Sequence, residues 1–360
     1  MSGSPFLTPD QSRLRRREAD RRRRRNRILG LGLFALAIIA VAAVLVSRSS
    51  GGHGHTATKR ARQTGAVIAK APARSPAGLP LASPALALSG IATPTGDPIQ
   101  LEFHHPPRAG LLFNLSTGQV LWQRNPYERS EIASLTKMMT ALISVHSTTP
   151  RTPILVTKNA VAMAGSKVGV LPLGKHVPAE SMLYGLLLPS GNDAAVALAE
   201  HVAGTTSAFV KLMNAEAARL GMGCTHYSNP SGFYDQGNYS CAADLAILAH
   251  VDESQPRIAA IVRTYAAVLP FPIKGGKLYL YNNNPLLIYK YPGATGMKTG
   301  FTLAAGRCLV ATAERDGIKL GAVVLNSDAP GVQAKQLLDR GFYDVYHLPR
   351  VPEPEIPPGA

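Results

Sequence analysis

The chain has 360 residues and a formal net charge of +16, but the charge is unevenly placed. Ten arginines against Asp10, Glu18 and Asp20 give residues 1–27 a net charge of +7, and residues 48–96, with six bases and no acid, add +6, leaving +3 for everything else. The basic excess therefore belongs to the tails. The remainder shows no basic stripe interleaved with aromatics, which argues against a nucleic-acid surface there, and its length and apolar content suit one large folded domain or two smaller ones.

Residues 1–27 read as a basic cytoplasmic tail. Ile28 to Val46 is a 19-residue apolar run without a charge, near the length that spans a bilayer as a helix. The arginines before it are expected to stay in the cytoplasm. A cleaved signal peptide is the rival, but its apolar core is shorter and ends at a small-x-small site, whereas Ser47-Arg48-Ser49 follows here. The expectation is a single-pass, uncleaved membrane anchor at 28–46 with the rest of the chain outside the cytoplasm. Residues 47–97, rich in Gly, Ala, Pro, Ser and Thr, read as a flexible basic linker suited to an anionic lipid or cell-wall surface. His53 and His55 lie in it and read as solvated.

Folded sequence is expected over 98–348, with a Pro-rich tail at 349–360. Ala109–Leu115 and Gln119–Gln123 flank Ser116-Thr-Gly118, a hairpin signal. A helix carrying Ser134 should run to about Val145. Helices are expected over Glu180–Leu188, Asp193–Val202, Thr206–Leu220 and Ser240–His250, with Gly221 and Gly223 closing the third. Extended stretches return at Lys277–Tyr281, Gly296–Thr299, Arg307–Thr312 and Lys319–Leu325, before a closing helix over Gln333–Tyr343. This order predicts an α+β fold: an antiparallel sheet flanked by helices, with an inserted helical subdomain.

Three short motifs carry the chemistry. Ser134 and Lys137 stand one helical turn apart in Glu131-Ile-Ala-Ser-Leu-Thr-Lys-Met-Met-Thr140. Residues three apart share a helix face, and a serine needs such a neighbouring base to become a nucleophile. A lysine can be that base if burial and a second cation remove its charge. Ser190-Gly-Asn192 lies in a loop between two helices, and Lys298-Thr-Gly300 lies on a late strand. Each alone has a bland reading: a capping serine, a helix-capping asparagine, a solvated lysine. Their order S-x-x-K, S-G-N, K-T-G is the combination found in penicillin-binding proteins and serine β-lactamases.

Over about residues 105–345 the chain resembles the serine D-alanyl-D-alanine carboxypeptidases, the low-molecular-weight penicillin-binding proteins. The likeness extends to Leu186-Leu-Leu-Pro-Ser-Gly-Asn-Asp-Ala-Ala195, Asn229-Pro-Ser-Gly232, Gly296-Met-Lys-Thr-Gly-Phe-Thr302 and Gly306-Arg-Cys-Leu-Val-Ala-Thr-Ala313. It implies a β-lactamase/transpeptidase-like fold and a peptidoglycan stem peptide ending in D-Ala-D-Ala as substrate. By this resemblance Ser134 attacks the carbonyl between the two D-alanines and Lys137 takes its proton. Ser190 and Lys298 pass the proton toward the leaving amine, and Asn192 orients Lys137 and the substrate amide. Thr299 binds the terminal carboxylate beside Lys298. Gly300 and Phe301 complete the substrate strand, and the backbone N–H groups of Ser134 and Phe301 form the oxyanion hole. β-Lactams are the implied inhibitors, and no cofactor is implied.

The chain departs from the family pattern in places. The family often carries an arginine after its last sheet strand that helps bind the substrate carboxylate, yet Asn326–Ala334 contains none. Asn-Pro-Ser-Gly stands where Asn-Pro-His-Gly is common. Many members add a C-terminal β-domain and an amphipathic anchor; here a Pro-rich tail follows soon after Tyr346, and the anchor is expected at the other end. The chain also lacks H-E-x-x-H and metal-spaced cysteine pairs, against a zinc peptidase. Its cysteines are Cys224, Cys241 and Cys308; export would allow a Cys224–Cys241 disulfide, the alternative being small buried hydrophobes. Glu200, Glu216 and Glu253 are not followed by the E-x-x-L-N pattern of class A β-lactamases. A DD-endopeptidase acting on cross-links, a β-lactamase-like enzyme and a non-catalytic β-lactam-binding protein are the competing functions.

Overall fold

The computed structural model describes residues 86–91, 96–234, 236–350, 352 and 354–357. The basic tail, the apolar run 28–46 and most of the linker lie outside the described residues, so the expected anchor does too. Among the described residues no helix is long and apolar enough to cross a membrane.

In chain order the elements are β1 (Ala109–Asn114), β2 (Val120–Arg124), β3 (Ser130–Glu131), a 3-10 turn (Ala133–Thr136), α1 (Lys137–Ser147), β4 (Pro153–Leu155), α2 (Lys158–Ala162), β5 (His176–Pro178), α3 (Ala179–Leu187), α4 (Asn192–Ala203) and α5 (Thr206–Arg219). There follow β6 (Tyr239–Ser240), α6 (Ala242–Glu253), α7 (Pro256–Val262), β7 (Ala266–Pro270), β8 (Lys277–Tyr281), α8 (Pro285–Ile288), β9 (Ala294–Thr302), β10 (Gly306–Arg315), β11 (Ile318–Ser327) and α9 (Pro330–Arg340). Five strands form one antiparallel sheet in the order β2-β1-β11-β10-β9, and the other strands pair off in three two-stranded ribbons. The expected antiparallel sheet with an inserted helical block is thus the observed one.

The strand pleat sends alternate residues into two cores. Leu111, Phe113, Val310, Val323 and Leu325 pack with α1, α6 and the helical block. Leu112, Leu309, Ala311, Leu320, Ala322 and Val324 pack under Ala334, Leu337 and Leu338 of α9 and under Phe342. Both faces are therefore covered, and all six residues of β1 are buried. The hydrophobic block Leu183, Leu186, Leu198, Phe209 and Met213 ties α3, α4 and α5 to the same core as α1.

Several sequence expectations need correction. The segment carrying Ser134 is not α-helix: Ala133 has φ of 47°, Ser134 sits in the 3-10 turn, and the α-helix begins only at Lys137. Packing also begins before the expected boundary at 98. Leu86 is buried, and Ser89 donates its N–H to the Gly118 carbonyl and accepts from the Val120 N–H. At the far end Ile356, within the expected tail, joins the α9 core. Backbone pairing of this kind needs no side-chain periodicity, so a Pro- and Ala-rich stretch does not announce it. Cys224 and Cys241 are disulfide-bonded, with Cα atoms 5.7 Å apart.

Candidate active site

β9 is an edge strand, and the 3-10 turn packs against it. Gly300 is required by that approach. A Cβ on it would lie 2.9 Å from the Ile132 carbonyl oxygen and 3.2 Å from the Ser134 nitrogen, closer than real side chains tolerate. The turn therefore lies directly against the K-T-G strand. Ala133, in a left-handed conformation a residue before Ser134, is the kind of local strain that clusters at working sites.

Lys137 is fully buried, and its Nζ meets three oxygens: Ser134 Oγ at 2.9 Å, Asn192 Oδ1 at 2.7 Å and the Ser231 carbonyl at 2.6 Å. Asn192 is held in this orientation because its Nδ2 donates to the Ala164 carbonyl at 2.7 Å. The Ser231 carbonyl is fixed by an Asx turn in which Asn229 Oδ1 accepts from the Ser231 and Gly232 N–H groups. Gly232 has φ of +71°, and any side chain there would run into the Ala133 carbonyl. Thr140 Oγ1 also donates to the Pro230 carbonyl at 2.7 Å, pinning the same loop on α1.

This arrangement decides what Lys137 can do. Burial, and then the charge of Lys298, push its pKa well below the usual amine value, with Asp193 opposing more weakly. A neutral amine has two N–H donors and one lone pair. Asn192 Oδ1 and the Ser231 carbonyl are pure acceptors and take the two hydrogens, so the lone pair faces the Ser134 hydroxyl. In that state the amine can take a proton from the Ser134 hydroxyl, the chemistry of a general base beside a nucleophile.

Lys298 is also buried, and burial pushes its pKa down to about 7. Its Nζ donates to the Thr299 carbonyl at 2.9 Å. Ser190 has φ of +67° and a buried Oγ with no hydrogen-bond partner among the described residues. Ser134, Lys137 and Asn192 are thus joined by direct bonds. Ser190 lines the same cleft without such a bond, and Lys298 acts on Lys137 through its charge. The cleft encloses about 370 Å³ and exposes Ser134, Ser166, Ser190, Thr299, Gly300 and Phe301 along its walls. Phe301 is mostly exposed at the mouth.

The sequence marks Asn229–Gly232 only as a segment that resembles the family, with no role at the site. The Ser231 carbonyl is in fact a direct partner of Lys137; the signal was the Asn-Pro-Ser-Gly turn itself, whose glycine marks a close backbone approach. Arg307, which the sequence pattern marks only as a strand residue, also lines the cleft. Asp193, next to Asn192, accepts from the Val168 N–H at 2.9 Å and so fixes the rim loop that carries Ser166.

The comparisons agree with this geometry. A family model described as D-alanyl-D-alanine carboxypeptidase matches residues 101–329. The chain is 34% identical over 257 residues to the D-alanyl-D-alanine carboxypeptidase DacF of Bacillus subtilis, covering 69% of this chain and 65% of that protein. It is 35% identical over 245 residues to the D-alanyl-D-alanine carboxypeptidase DacB2 of Mycobacterium tuberculosis, covering 66% of this chain and 82% of the relative. A solved Streptomyces K15 DD-transpeptidase superposes with a TM-score of 0.63 at 30% identity, over 67% of this chain and 99% of that one. With Ser134, the buried Lys137 and a K-T-G edge strand gathered at one cleft, and with these matches, the chain belongs to the D-alanyl-D-alanine carboxypeptidase family.

Proposed function

We propose that this protein is a serine D-Ala-D-Ala carboxypeptidase that trims peptidoglycan stem peptides. The observation that carries the reading is the Lys137 amine, bonded to two acceptor-only oxygens and to Ser134 Oγ. Ser134 Oγ attacks the carbonyl of the penultimate D-alanine as Lys137 takes its proton. The tetrahedral oxyanion is held by the Ser134 and Phe301 N–H groups, donors of a kind worth roughly 3–4 kcal/mol each. The C–N bond breaks, D-alanine leaves with a proton delivered through Ser190 and the lysines, and water hydrolyses the Ser134 ester. A β-lactam offers the same nucleophile a strained amide whose leaving amine stays tethered, so its acyl-enzyme decays slowly.

Product analysis tests this reading. With a pentapeptide ending in D-Ala-D-Ala, release of one D-alanine is expected; with a cross-linked dimer, little cleavage is expected. Cleavage of the dimer without D-alanine release from the pentapeptide would make the protein an endopeptidase.

The same proposal places the catalytic domain outside the cytoplasm, on an uncleaved single-pass anchor at Ile28–Val46. The arginine-rich flank, the charge-free apolar run and the basic linker support it. N-terminal sequencing of membrane-extracted protein should find the apolar run still attached. A mature start at Ser47 or later would overturn the anchor.

A further inference from the structure

The substrate of the proposed reaction ends in a carboxylate, and such a group entering a cleft needs a cation. Among the described residues that line the cleft, Arg307 alone carries a charged side chain. Lys298 is on the cleft strand β9 but is buried, with its amine turned to the Thr299 carbonyl. The position of Arg307 follows from sheet register. On β10, Arg307 is paired with Phe301 and Leu309 with Thr299. Directly opposed residues in an antiparallel pair point to the same face, and diagonal neighbours lie within reach of long side chains. Arg307 is therefore the diagonal, same-face neighbour of Thr299, one strand in from the edge that borders the cleft.

The guanidinium is oriented without being neutralised. Its Nη1 donates to the Asp328 carbonyl at 3.3 Å, at the end of β11, and no carboxylate of the described residues forms an ion pair with it. Arg307 is exposed and lines the cleft. A planar fork of donors held at one corner matches a carboxylate in a way a point charge does not.

We infer that Arg307, with the Thr299 hydroxyl, binds the terminal carboxylate of the substrate and of penicillin, in place of an arginine after the last strand. This rests on the proposed peptidase reading and adds to it the residue that selects a free C-terminus. The guanidinium works by binding; it takes no part in proton transfer.

The test uses acylation of the full-length protein by a pair of acyl thioesters, one whose leaving group ends in a free carboxylate and one in which that carboxylate is methylated. The unsubstituted protein should prefer the free acid. Arg307→Leu should lower kcat/KM for the acid about 10–100-fold, the range for a hydrogen bond between charged groups, mainly through KM. It should leave the methyl ester within about twofold. Arg307→Lys should recover part of the preference. Penicillin acylation should follow the acid. A protein altered only in folding would lose both thioesters together, so the ratio separates the two. An unchanged acid-to-ester ratio in an active Arg307→Leu protein would overturn this assignment alone. Failure of the unsubstituted protein to react with either thioester would overturn the peptidase reading, and the assignment with it.

Discussion

Lys137→Ala should slow acylation of Ser134 by penicillin about 10²–10⁴-fold, the usual contribution of a positioned base, and Ser134→Ala should abolish the adduct. The reason is the amine's bonding. Asn192 Oδ1 at 2.7 Å and the Ser231 carbonyl at 2.6 Å occupy its hydrogens and leave Ser134 Oγ, at 2.9 Å, as the only target of its lone pair. The protonated amine has no lone pair, so the acylation rate should fall as pH drops through the pKa of Lys137. Because burial and the Lys298 charge hold that pKa well below the ordinary amine value, the acid limb should lie below the pH at which a free lysine loses its proton. Intact-protein mass spectrometry with peptide mapping reads both variants. An adduct on another residue, or wild-type acylation by Lys137→Ala, would sink the mechanism.

The parts of this site that depend on short spacings were legible in the sequence. Ser134 and Lys137 are one turn apart on any helical path, so the 3-10 turn that replaces the expected α-helix changes the backbone without separating them. Lys298-Thr-Gly300 requires only an extended strand, and Gly300 is needed because the turn lies against it. Amphipathic α9 and the alternating strand β8 announced themselves by period. What could not be read were backbone and register effects. The Ser231 carbonyl partners Lys137 through an atom that every residue possesses. Arg307 gains its meaning only from facing Phe301 across β9 and β10, which no local pattern states. Ser89 is held by a backbone bridge to Gln119, and Leu86 is buried just before it. In the ribbon strand β7 the half-buried Ala267 and Leu269 alternate with exposed Ala266, Val268 and Pro270, but all five are apolar or small, so the sequence shows no alternation.

The two lysines also show why the site costs stability. Asn192 and a backbone carbonyl satisfy Lys137, and only its own neighbour's carbonyl is bonded to Lys298. Both are buried cations or near-cations in one cluster, and neither pairs with a carboxylate among the described residues. Under the proposed peptidase reading, the shifted protonation is what this costly arrangement serves.

Lys298→Met should therefore stabilise the protein while crippling it. Lys298 is only 1% exposed, so a methionine of similar length fills its space without its charge. The folded pKa, about 7, lies below the unfolded value of about 10.4. Between those values the unfolded chain binds more protons, so the parent's stability rises with pH across that window and is lost as pH falls toward 7. Below it the parent carries the full penalty of a buried charge. The methionine variant escapes this penalty and should be more stable by a few kcal/mol near pH 6, roughly 5–10 °C in Tm for a domain of this size. Its advantage should shrink as pH approaches 10. Activity should move the other way. Loss of the Lys298 charge lets the pKa of Lys137 rise, so the acid limb of the acylation profile should shift to higher pH. Thermal melts from pH 6 to 10, beside penicillin acylation over the same range, measure both. A variant that melts below the parent at pH 6, or an acid limb that does not move, would show that Lys298 supports the fold rather than tuning Lys137.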